Sequence, residues 1–182
     1  RLGACVAMPL WSRAEIVSLF DILSQRLEAR GVKADVYVVG GAAITLAYDA
    51  RRTTRDIDAM IRSGHGAVVE EVKQIARERG LPSTWLNEQA TSYISTNPDR
   101  NELVVYDGGG LRVAAASARH LLAMKTAAAR PGDIDDIRLL AAMLDVTTAR
   151  NVFAVYDTVL GGTLGDRQRK LIEDLFPDRR GT

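Results

Sequence analysis

A short buried-looking strand that runs straight into two glycines constrains this chain more than any other feature. Val36 to Val39 is fully apolar and rich in β-branched residues, which predicts a strand covered on both faces. Gly40-Gly41 follow at once, and residues 42–48 have the composition of a short helix. Glycines at such a junction let the backbone approach a phosphate closely. The helix start adds free amides and partial positive charge. The plainer reading of the pair is a tight turn between strand and helix.

A second segment supplies the chemistry that a phosphate site needs. Asp56 to Ile61 alternates acidic and apolar residues, which predicts a strand with one wet face. Asp56 and Asp58 then point the same way, and Ile57 and Ala59 point into a core. Two carboxylates side by side repel each other unless a cation joins them. They suit Mg²⁺ or Mn²⁺, hard ions held by a few carboxylates plus substrate phosphates. Arg51, Arg52 and Arg55 precede the pair, either as a solvated loop or as a basic rim that attracts triphosphate or RNA.

The rest of the chain predicts how this pair is framed. Ser12 with Glu15 three residues on is a capping box for a helix over 13–30, closed by Gly31. A second amphipathic helix is predicted over 66–79. Residues 83–98 are either an irregular helix or a loop with a short strand, and Trp85 reads as a packing anchor. Glu102 to Tyr106 and Leu111 to Ala115 are strand candidates joined by Asp107-Gly108-Gly109-Gly110, a hairpin signal. Helices follow over 118–129, 134–144, 149–160 and 166–175. Strands therefore concentrate before residue 116 and helices after it. The expected architecture is α+β: a mixed-sheet core with its N-terminal helix over 1–116 and a helical subdomain over 117–182.

Composition narrows the class without naming it. Net charge is +1 over 182 residues, so an anionic partner must be met by a local cluster. The single Cys5 excludes an internal disulfide and a multi-cysteine zinc site. That fits a cytoplasmic location. No apolar run is long enough for a membrane helix, and no signal peptide is expected at residues 2–11. His65 and His120 have no ligand spacing and receive no role.

The segment VVGGAAITLAYDARRTTRDIDAMI resembles the signature of the polymerase-β-type nucleotidyltransferase superfamily. It is similar to the AbiEii-like group, which includes the MenT toxins of toxin–antitoxin pairs. Trp85-Leu86-Asn87 and the segment LLAMKTAAARPGDIDDIRLL are similar to further elements of that group. The resemblance implies that Gly40 and Gly41 hold a nucleoside triphosphate and that Asp56 and Asp58 hold the metals. It implies that Lys125 contacts nucleotide phosphate and that Asp136 is a distal acidic residue needed for activity. From the residues alone, Lys125 is a surface lysine, Asp133 a helix N-cap and Asp136 a first-turn acid. Arg130 would orient Asp136 or pair with phosphate.

The implied function is transfer of NMP from an NTP to RNA, at the tRNA 3′ end. The physiological role would be that of a toxin restrained by a cognate antitoxin protein. Alternatives keep the site but change the acceptor to a protein hydroxyl or a small molecule such as an aminoglycoside, or make the chain an inactive binding module. Thr54 and Thr53 lie just before Asp56. A phosphate on either would place negative charge beside the carboxylates, so both are candidates for regulatory phosphorylation.

Overall fold

The computed structural model describes residues 9–177, so Cys5 lies outside the described part. Two compact units are present. One holds the chain up to Thr91 together with Leu103–Ala115. The other holds Ser92–Glu102 and the chain from Ala116 onward.

The first unit is built on a five-stranded mixed sheet. Its elements are α1 (Arg13–Ala29), β1 (Ala34–Val38), α2 (Gly40–Ala47), β2 (Ile57–Ser63), α3 (His65–Arg79), β3 (Leu86–Asn87), β4 (Leu103–Asp107) and β5 (Leu111–Ala115). The strand order is β3-β2-β1-β5-β4. β1 is antiparallel to β2 and parallel to β5, so the glycine strand sits in the middle, next to the carboxylate strand.

Local chemistry accounts for these elements. The Ser12 hydroxyl caps α1 through the Glu15 amide, and Glu15 returns the bond to Ser12 N–H at 2.7 Å. Ile16, Phe20, Leu23 and Leu27 form its buried stripe at helical spacing, each wholly excluded from solvent. α3 stops at Gly80, which takes the left-handed conformation. The glycine run before β5 does more than turn the chain. A Cβ on Gly110 would stand 2.1 Å from the Ser24 carbonyl, so α1 lies directly against the hairpin.

Two boundaries that bear on the site differ from the sequence expectation. Strand β2 begins at Ile57, so Asp56 stands just before it rather than within it. Helix α2 begins at Gly40, so both glycines belong to its first turn rather than to a preceding loop. Residues 83–98 resolve into the two-residue strand β3 and a 3₁₀ turn at Thr91–Tyr93.

The second unit is helical: α4 (Ala118–Ala128), α5 (Ile134–Met143), α6 (Ala149–Val159) and α7 (Asp166–Leu175). α4 packs on α5 and α6. Its N-terminus is capped by the Ser117 hydroxyl. At its C-terminus, Arg167 and Gln168 of α7 donate to the carbonyls of Ala128 and Ala127, which no helical amide reaches. The segment Ser92–Glu102 joins this unit through Asp99, whose buried carboxylate accepts the Ser117 amide at 2.7 Å. No described helix is long and apolar enough to cross a membrane.

Candidate active site

The candidate site of the first unit grows out of the β1–α2 junction. Gly40 has φ +64°, a conformation that costs any residue with a Cβ. It turns the chain from β1 into α2 while the Val39 amide bonds to the Asp58 carbonyl at 2.9 Å. α2 has no side-chain cap at Val39, so no side chain occupies its first amides. A Cβ on Gly40 would lie 3.4 Å from Asp58 Oδ2, and one on Gly41 would lie 3.3 Å from Thr54 Oγ1. The two glycines thus form a cradle walled by Asp58 and Thr54.

The carboxylates are held from below by packing. Ile57 and Ala59 are wholly buried, while Asp56 and Asp58 are half-buried. This is the alternation expected of a strand with one wet face, extended one residue upstream. The adjoining strand β3 explains the Trp85-Leu86-Asn87 element. The Ile57 amide bonds to the Trp85 carbonyl at 2.8 Å, and Asp58 is in register with Asn87. Trp85 is fully buried, its indole N–H donating to the Val72 carbonyl at 3.0 Å. It therefore anchors the strand beneath the site, as a packing residue.

The approach to Asp56 is also fixed. Thr54 forms a two-bond bridge with Trp11, at 2.7 and 3.0 Å. Its hydroxyl donates to the Asp56 carbonyl at 3.0 Å, and only 8% of the residue is exposed. Thr53 beside it is exposed. Of the three arginines, Arg51 and Arg52 pair with Asp49, at 3.2 and 3.6 Å, whereas Arg55 is exposed next to Asp56.

Lys125, Asp133 and Asp136 meet in the second unit. The Lys125 ammonium lies 2.5 Å from Asp133 and 2.9 Å from Asp136, with all three side chains largely buried. Burial pulls the lysine pKa down, but the hydrogen bonds and charges of the two aspartates outweigh it. The net position is above the ordinary value of 10.5. Lys125 is thus no surface lysine. Asp133 also departs from expectation. It stands at the start of α5 but makes no side-chain cap there. Its carboxylate instead takes Lys125 and the Arg130 amide, the latter at 3.4 Å. The Arg130 side chain is exposed.

The residues present fit a divalent ion of the magnesium kind. Among the described residues no three His, Cys, Asp or Glu side chains cluster as a closed metal cage. Asp58 stands beside a cradle that a Cβ would partly fill, with Asp56 two residues before it. Two such carboxylates would suit an ion completed by substrate phosphates.

A mixed sheet that sets a glycine-turn helix beside an acidic strand is consistent with a nucleotidyltransferase-like fold. Residues 14–174, most of the chain, match the family described as "Nucleotidyltransferase of unknown function (DUF6036)", and the chain belongs to it. No curated protein and no solved structure matches the chain significantly.

Proposed function

We propose that the protein transfers NMP from an NTP to an RNA acceptor, the tRNA 3′ end, as the toxin of a toxin–antitoxin pair. The observation that carries the nucleotidyl-transfer part is the 3.4 Å approach of the Gly40 backbone position to the Asp58 carboxylate. Phosphate on the α2 amides and an ion on Asp58 would be immediate neighbours. Family membership supports the same part. The RNA acceptor and the toxin role rest on the resemblance of residues 35–145 to the AbiEii-like group.

In the proposed reaction the acceptor hydroxyl oxygen forms a bond to the α-phosphorus of the NTP. The bond from that phosphorus to the bridging oxygen of the β-phosphate breaks. Pyrophosphate leaves and the hydroxyl proton is released. The α2 amides bind and orient the phosphates, and Asp56 and Asp58 would hold Mg²⁺ or Mn²⁺. When bound, such ions neutralise charge on the attacking and leaving oxygens. No side-chain nucleophile is required, because positioning and charge neutralisation supply most of the catalysis in phosphoryl transfer. On the resemblance, Lys125 is proposed as a phosphate contact and Asp136 as a distal acidic residue needed for activity.

The experiment is a screen of the four NTPs, labelled at the α-phosphate, against separate tRNA, protein and aminoglycoside acceptors. Label on the tRNA 3′ end supports the proposal. Label on protein or antibiotic keeps the chemistry and replaces the acceptor. No transfer and no pyrophosphate with any acceptor would leave an inactive binding module.

A further inference from the structure

The outer edge of the carboxylate strand is closed by a side chain instead of a strand. β3 pairs with β2 only at Ile57–Leu86 and Asp58–Asn87. It is the outermost strand, so beyond Asp58 no described strand covers that edge. Along an extended strand, backbone polar groups alternate between its two neighbours. The Asp58 carbonyl faces β1, where it accepts the Val39 amide. The Ile57 amide faces outward to Trp85. The Ile61 amide also faces outward, and there it meets the Glu88 carboxylate at 3.0 Å. A carboxylate oxygen thus stands where the carbonyl of a longer β3 would stand. Its second oxygen bonds to His65 Nε2 at 2.7 Å.

A cavity of about 150 Å³ opens beside this edge. Its apolar walls come from Ile61, Val69, Val72 and Leu86, with Lys73 and Glu88 also lining it. A dry cavity of about this volume accepts a group the size of benzene, so it suits one leucine or phenylalanine side chain. Lys73 is exposed, and no described acidic side chain pairs with it.

We infer that the edge of β2 around Ile61 is a docking site for an extended peptide of a partner protein, which carries an apolar anchor next to an acidic residue. The peptide takes over the Ile61 amide from Glu88 with a backbone carbonyl. Its apolar side chain enters the cavity, and its acidic side chain pairs with Lys73. Main-chain bonds would give affinity and the pocket would give selectivity, as in strand addition generally. A free small molecule fits the pocket but does not use the ladder position at Ile61, which is why a peptide is favoured.

The test uses the full chain and a phage-displayed library of random decapeptides, followed by amide exchange measured by NMR. Enriched peptides should carry an apolar residue beside Asp or Glu. They should slow exchange at Ile61, lose binding in Val69→Trp, and weaken in the exposed-site variant Lys73→Glu. Glu88→Ala should speed Ile61 exchange in the free protein and tighten peptide binding about tenfold, the equivalent of one hydrogen bond no longer displaced. The inference is overturned if no peptide is enriched. It is equally overturned if enriched peptides leave Ile61 exchange and the Lys73→Glu comparison unchanged. Concentration-dependent dimerisation that Val69→Trp abolishes would assign the edge to a second copy and also overturn it.

Discussion

A methyl group placed on Gly40 would stand 3.4 Å from Asp58 Oδ2, in a residue whose φ is already +64°. The turn proposed to hold phosphate and the carboxylate proposed to hold the metal are therefore one piece of structure. Gly40→Ala should lower stability by about 1 kcal/mol through the left-handed backbone. It should lower transfer far more, by about 100-fold, because the methyl group crowds the position where phosphate and ion must meet. Urea denaturation alongside initial rates separates the two effects. Equal losses in both would show that the turn is only structural.

Thr54 couples the entry loop to the carboxylates, with its hydroxyl on the Asp56 carbonyl and its backbone bridged to Trp11. A phosphate carries roughly −2 charge. Phosphorylation of Thr54, or of the exposed Thr53, should abolish transfer. Thr54→Glu should be folded by circular dichroism and inactive. Full transfer by Thr54→Glu would refute this control.

Lys125 neutralises two largely buried carboxylates, so Lys125→Met should destabilise the protein by about 3 kcal/mol. Its folded pKa lies above the unfolded value of 10.5. The stabilisation is then complete below about 10.5 and is lost as pH rises through the folded pKa. The difference between wild type and Lys125→Met should stay flat from neutral pH to about pH 9 and shrink only in stronger alkali. Chemical denaturation across that range checks it. A gap that closes near neutrality would contradict the ion pair.

Trp85 is fully buried and donates to the Val72 carbonyl. Trp85→Phe should cost about 1 kcal/mol by removing that hydrogen bond, with nucleotide affinity unchanged. Calorimetric titration of a non-hydrolysable NTP tests the second half. A large loss of affinity in a stable variant would give Trp85 a place against the base.

What could be read from the chain was local. The Ser12–Glu15 capping box, the end of the second helix at residue 79 and the bounds of β5 follow from neighbouring residues, and each is found. The alternation of half-buried Asp56 and Asp58 with buried Ile57 and Ala59 was readable from the sequence alone. Three things were not. Asp56 falls outside β2 because the strand begins where β3 offers a partner, and β3 is two residues long with no periodic signal. Asp133 looks like a helix cap, yet Lys125 eight residues earlier claims it across the Pro131-Gly132 turn. Glu88 closing the β2 edge depends on strand order, which no local pattern encodes.

The most direct test of the central claim compares wild type with Asp58→Asn in magnesium, with NTP labelled at the α-phosphate and total tRNA as acceptor. The substitution keeps size and removes charge. Wild type should label the acceptor and release pyrophosphate in equal amounts, and Asp58→Asn should be slower by about 1000-fold or more. Pyrophosphate release by Asp58→Asn at the wild-type rate would contradict the account.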